Sequence, residues 1–197
     1  MKDKDPVACR RRQILGAAER LLRHYGPGKT TVADIAKAAD VGVGTIYLEF
    51  PSKDAILIAL SEERYATILG AMKSAAEGHG SHAVRLTRAL EERLEAFLGL
   101  MEDGVHAVDL VHCGACPAIH GVWVSFEERQ QELFEELLRG ASEAGVFASD
   151  DPARTATTLL RAFTAFAPPV LYARPTEGIR AELGALLELV ILGLARR

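Results

Sequence analysis

Thr31-Val32-Ala33-Asp34-Ile35-Ala36-Lys37-Ala38-Ala39-Asp40-Val41-Gly42-Val43-Gly44-Thr45-Ile46-Tyr47-Leu48-Glu49-Phe50-Pro51-Ser52-Lys53 is the stretch that decides the fold. Thr31, three residues ahead of Asp34, makes a capping box: its hydroxyl can accept one orphan amide while the carboxylate reaches back to another. The helix so started is short and ends near Ala39. After Asp40-Val41-Gly42 a second short helix runs from Val43 to Phe50. Pro51 closes it, because the residue before a proline avoids the α region. Ser52 then caps a long helix, with Asp54 at its positive end. Two short helices, 31–39 and 43–50, joined by a turn of about three residues have the layout of a helix-turn-helix, whose second helix enters a DNA major groove. Gly42 and Gly44 let the start of that helix approach a sugar-phosphate wall, where its amides favour phosphate charge, with Val43 between them a further candidate DNA contact. Thr45 can donate to phosphate or touch a thymine methyl. The Tyr47 hydroxyl can donate to phosphate, and Lys53 adds a cation.

Working outward, apolar residues keep helical spacing throughout and no stretch alternates with period two over strand length. Upstream, Ile14, Ala17, Ala18, Leu21, Leu22 and Tyr25 mark one face of a helix from Arg10, stopped by Gly26-Pro27-Gly28. Downstream, the long helix fades near Gly78-His79-Gly80. Further helices are expected over 81–101, 105–113, 117–144, 151–167 and 176–197. Asp151-Pro152 supplies a carboxylate cap with proline in the first turn, and Pro168-Pro169 must break what precedes it. The expectation is an all-α chain of about nine helices. A three-helix DNA-binding domain, 1–55, precedes a larger helical domain, 56–197.

Composition bounds the function. Of 197 residues, 49% are apolar and 25% charged, which provides for a substantial core and argues against disorder. The net charge of −4 argues against a uniformly basic coat for nucleic acid or lipid, but it is unevenly spread. Residues 1–60 hold 10 Lys/Arg against 7 Asp/Glu, and residues 61–197 hold 13 against 20. A small polyanion-binding module on an acidic body is the expectation. With no secretory signal, no apolar run of spanning length and three sparse cysteines, a soluble, reduced, cytoplasmic protein with no membrane association is expected.

Residues 10–60, above all Thr30 to Ala36 and the run Gly44-Thr45-Ile46-Tyr47-Leu48-Glu49-Phe50-Pro51-Ser52-Lys53-Asp54-Ala55, resemble the N-terminal domain of TetR-family transcriptional regulators. The resemblance implies a homodimer on a palindromic, double-stranded operator, usually as a repressor. It also implies a variable C-terminal domain that holds a small effector and dimerises through its last two long helices, here 151–167 and 176–197. The family commonly has Ser-Lys where this chain has Gly42-Val43. The recognition helix therefore carries no Lys or Arg, and Glu49 is expected to face or flank the groove. Phosphate attraction is left to Lys53, Lys29, Lys37 and the arm Arg10-Arg11-Arg12, with Thr31 at the start of the first short helix; affinity should fall steeply with salt.

The effector half is less legible. His106, His112, Cys113, Cys116 and His120 cluster. Cys113, Cys116 and His120 can converge on a zinc ion if a fourth ligand is supplied, and Cys116-Pro117 has the form of the short Cys-Pro element of haem-responsive proteins. A thiol redox pair and an ordinary apolar pocket are the other readings, and no cofactor is required by the last. Phe97, Met101, Trp123, Phe126, Phe163 and Phe166 fall on helices that would surround a cavity, which suits a hydrophobic effector. A helical enzyme or adaptor is the remaining class. Gly26-Pro27-Gly28-Lys29-Thr30 imitates a phosphate loop but follows a helix where a strand is required, and paired glutamates fall on solvated faces.

Overall fold

The computed structural model describes residues 6–103, 106–112 and 117–195. Among these the chain is helical, with one isolated bridge between Phe147 and Ala195. Eight α-helices are α1 (Pro6–Tyr25), α2 (Val32–Ala38), α3 (Val43–Glu49), α4 (Lys53–Glu77), α5 (His82–Glu102), α6 (His120–Glu143), α7 (Pro152–Ala162) and α8 (Ile179–Leu194).

The punctuation works as its chemistry dictates. Thr31 and Asp34 form both halves of the capping box. The Ser52 hydroxyl accepts from the Ala55 amide at 3.1 Å, and the Asp151 carboxylate from the Arg154 amide at 3.0 Å. Between α2 and α3, Asp40 takes a left-handed conformation at φ 52°. The amides of Asp40 and Val41 donate back to the carbonyls of Lys37 and Ala36, the Schellman pattern that spends otherwise orphaned carbonyls.

Several expected elements differ. Among the described residues of the helix expected over 105–113 there is instead a 3₁₀ turn, Ala107–Leu110. The preceding backbone is spent on α1: the His106 amide donates to the Arg23 carbonyl at 3.2 Å, and Arg23 Nε donates to the Asp103 carbonyl at 2.7 Å. The helix expected over 151–167 stops at Ala162. A 3₁₀ turn, Thr164–Phe166, follows, with the Thr164 hydroxyl bonded to the Arg161 carbonyl at 2.7 Å. The last helix starts at Ile179, after Gly178 in the left-handed region at φ 74°. Upstream, α1 reaches back to Pro6, so the arginine arm is helical.

The chain divides into two compact units. The first takes residues up to Tyr65 together with Leu100–Trp123, and the second takes Ala66–Gly99 with the residues from Val124 onward. In the first, Ile14, Ala18 and Leu22 of α1 meet Ile35 of α2, Ile46 of α3 and Ile56 of α4, with Leu110 and Ile119 joining the same core. This unit is also tied by charge. Arg64 on α4 bonds Glu19 on α1 and, at 2.9 Å, Asp103. The Tyr65 hydroxyl donates to the Val111 carbonyl at 2.6 Å.

In the second unit α5 and α6 supply long apolar stripes. Leu86, Leu90, Leu94 and Phe97 are buried on one, and Phe126, Leu133, Phe134, Leu137 and Leu138 on the other. Arg180 of α8 holds Glu95 of α5 through two hydrogen bonds, 2.6 and 2.8 Å. That bond keeps the Glu95 carboxyl below its ordinary range despite some desolvation.

Candidate nucleic-acid interface and sensor core

The second short helix, α3, is two-faced for a physical reason. Ile46 is fully buried and anchors α3 to the core. On the outward side Val43, Tyr47 and Leu48 are exposed to 43%, 53% and 83%. A side chain built at Gly44 would meet nothing within 4 Å, and one at Gly42 only the Thr45 hydroxyl at 3.8 Å. These glycines are therefore not demanded by packing within the chain. They keep the start of α3 flat, the condition for close approach of another surface.

The ionic groups expected around α3 fall into two sets. Glu49, expected to face or flank the groove, is turned instead toward α1, where Arg10 Nε lies 2.7 Å from its carboxylate and the Glu49 side chain is 8% exposed. One potential repulsion with phosphate is thereby neutralised inside the domain. Arg11 donates to the Glu49 carbonyl at 3.1 Å and lies over the Phe50 ring at 4.1 Å, so it braces the end of α3 while remaining exposed. Arg12 Nε reaches the Ala8 carbonyl.

Lys53 Nζ donates to the carbonyls of Pro27 and Thr30, at 2.7 and 3.2 Å. That fastens the α1–α2 turn to the start of α4 and leaves one ammonium proton uncommitted. The Thr31 hydroxyl is spent in the cap, bonded to Asp34 Oδ2 at 2.6 Å. Those bonds, with a smaller contribution from Lys37, hold the Asp34 carboxyl below its ordinary range. Lys29 and Lys37 are exposed on an open groove of about 520 Å³, beside Leu21 and Tyr25.

The residues expected to line one effector pocket are shared between the two units. Phe97 and Phe126 are buried in the second unit and meet edge to face at 6.1 Å. Phe163 and Phe166, also buried there, lie 5.9 Å apart. Met101, His106, His120 and Trp123 belong to the first unit. The Trp123 ring packs 5.8 Å from Tyr65, and Met101 and His120 are exposed. His106 Nδ1 lies 2.8 Å from Asp109, and its ring covers Gly26.

Cys113 and Cys116, on which the metal, haem and redox readings turned, lie outside the described residues. Among the described residues no group of three His, Cys, Asp or Glu could hold a metal ion. Nor is any helix among them long and apolar enough to cross a membrane.

Sequence reasoning passed over two groups. Arg93 is 4% exposed and Gln130 3% exposed. Both sit on apolar stripes, Arg93 at helical spacing among Leu86, Leu90 and Phe97, Gln130 among Phe126, Leu133 and Leu137. A polar side chain at a core position of an amphipathic helix was the available signal.

An all-helical chain with this capped pair of short helices and its outward-facing α3 is of the helix-turn-helix class. Residues 14–60 match the profile of the bacterial regulatory proteins of the TetR family, so that over this segment the chain is similar to TetR-family transcriptional regulators. An HTH-type transcriptional repressor of Mycobacterium tuberculosis is 42% identical over 60 residues, 30% of this chain and 32% of the relative. The fatty acid metabolism regulator protein of Bacillus subtilis is 38% identical over 73 residues, 37% of this chain and 36% of the relative. The likeness to these curated relatives thus spans about a third of their length. In fold, a TetR-family regulator from Syntrophomonas wolfei matches with TM-score 0.71 at 24% identity, over 94% of this chain and 96% of its own.

Proposed function

We propose that this protein is a cytoplasmic, homodimeric repressor that binds a palindromic operator and is released by a small effector. The observation that carries the DNA reading is the outward face of α3, which exposes Val43, Tyr47 and Leu48 on a helix anchored by Ile46. In this reading α3 lies in the major groove. Val43 and the Thr45 methyl meet thymine methyls, the Tyr47 hydroxyl reaches phosphate, and Arg11, Arg12, Lys29 and Lys53 supply the counter-charge.

Dimerisation through the C-terminal helices is supported by α8, whose Leu189 and Leu192 are 68% and 73% exposed. The effector belongs to the second unit, where buried aromatic side chains favour a ligand with an apolar body. Because both heads must meet their half-sites in register, an effector that changes the spacing of the two α3 helices lowers affinity. By linkage, operator DNA must weaken effector binding by the same factor.

The test is a gel shift of the purified protein on DNA from its own promoter region, across a range of salt. A sequence-selective complex that weakens steeply with salt is expected. Its absence, or equal binding to unrelated DNA, overturns the reading.

A further inference from the structure

We propose that α3 selects its operator through thymine methyl groups, with Leu48 as the residue that sets this choice, so that each half-site is a thymine-bearing sequence held by apolar contact. This deepens the regulator reading above and rests on it. α3 is Val43-Gly44-Thr45-Ile46-Tyr47-Leu48-Glu49. Ile46 is fully buried, and the Glu49 side chain is 8% exposed and engaged by Arg10 at 2.7 Å. Val43, Tyr47 and Leu48 are left on the outward side, and Leu48, exposed to 83%, has no packing role within the chain. Helical side chains lean toward the N-terminus, so Leu48 leans over the turn that begins at Gly44. A side chain at Gly44 would meet nothing within 4 Å. The glycine thus leaves Leu48 uncovered toward the end of α3 that a helix-turn-helix presents to base edges.

The chemistry of base recognition narrows what this face can read. A guanine is chosen by an Arg or Lys that meets its O6 and N7, an adenine by an Asn or Gln that meets N6 and N7, and a cytosine by a free carboxylate that accepts from N4. α3 has no Arg, Lys, Asn or Gln, and its one carboxylate, on Glu49, is turned away to Arg10. A threonine hydroxyl serves several bases and chooses weakly among them. What remains is the apolar surface. Of the four bases only thymine offers that surface a partner in the major groove, its C5 methyl, and burying a methyl is favourable without any directional bond.

The flanks carry the charge complementary to phosphate. Arg11 is exposed beside the end of α3, and Lys53 keeps one ammonium proton uncommitted after its two carbonyl bonds. Such cations hold DNA of any sequence, and the methyls then distinguish one sequence from another. A leucine exposed without a role in recognition would leave DNA that lacks the methyl bound equally well.

The experiment selects binding sites for the full-length protein from a random duplex library and remakes the selected duplexes with deoxyuridine in place of thymidine. That change removes the methyl and keeps every hydrogen-bonding edge. The selected half-sites should share thymines at fixed positions. Each contacted methyl lost should cost about fourfold, so a palindrome that loses two in each half-site should weaken by about a hundredfold or more. At those positions 5-methylcytosine should bind better than cytosine. Leu48→Ala should keep the fold, since the side chain is not buried, and should shrink the thymine-over-deoxyuridine ratio several-fold by weakening only thymine DNA. Tyr47→Phe, which removes a phosphate contact, should weaken both DNAs by the same factor. Equal affinity for thymine and deoxyuridine duplexes, selected sites whose shared positions are all G·C, or a Leu48→Ala variant with the full thymine preference would each overturn the proposal. The two levels separate cleanly: a selected site without methyl dependence sinks only the methyl reading, and a selection that yields no preferred site sinks the regulator reading.

Discussion

Gly26 shows how much one residue fixes at the end of α1. Its φ of 77° lies in the left-handed region, where an L side chain costs about 1–2 kcal/mol. A Cβ there would also stand 3.0–3.1 Å from the His106 ring. Gly26→Ala should therefore lower stability by about 1–3 kcal/mol in urea unfolding. Adding His106→Ala should restore the steric part and leave the backbone part, so the two losses will not add. Lys53 and Tyr47 make a complementary pair. Tyr47 has an exposed ring on α3, so Tyr47→Phe should weaken operator binding several-fold while stability stays within about 0.5 kcal/mol. Lys53 holds two carbonyls of the α1–α2 turn. Lys53→Ala should weaken DNA binding and also cost about 1 kcal/mol of stability, read from melting in the absence of DNA.

At the scale of elements, α2 depends on its capping box, and the box depends on pH. Asp34 has its pKa lowered from 3.8 chiefly by the side-chain hydrogen bond of Thr31, then by the Thr31 backbone amide. A carboxylate with a lowered folded value adds stability that is fully present above its unfolded value and is lost as pH falls through the lowered one. Asp34→Asn should thus lower the melting temperature at pH 7, and the gap from wild type should close in acid. A gap that persists unchanged below pH 3 would refute the role of the charge. The sequence made this element legible because its signals are local: a hydroxyl, a carboxylate three residues on, a proline after Phe50. The surroundings of Asp103 and His106 were not legible, since Arg23 of α1 holds the Asp103 carbonyl and Arg64 of α4 its carboxylate. The early end of α7 was hidden for a similar reason, because Phe163 and Phe166 read as one more helical turn until their burial is seen. Glu49 was misplaced because its partner Arg10 lies 39 residues earlier in sequence.

For the whole molecule, the proposed function turns on two copies presenting α3 at a fixed spacing. The face that would join them is on α8, where Ala185, Leu189, Leu192 and Gly193 are exposed along one side, while Ile179, Leu183 and Leu187 are buried on the other. Two leucines exposed to more than two thirds on a helix already anchored by three others contribute nothing to the core of one chain. Such an apolar side suits a contact with another surface. A symmetric dimer would bring each of them against its own counterpart region. Leu189→Glu with Leu192→Glu would place four carboxylates in that contact, two from each chain, and remove its apolar area. Light scattering should then find a monomer where the wild type is a dimer. Helical content should be unchanged, because neither side chain is buried within the chain. Operator binding should fall by orders of magnitude, since one head alone keeps the contacts of one half-site. A variant that remains dimeric with full operator affinity would place the dimer contact elsewhere on the molecule.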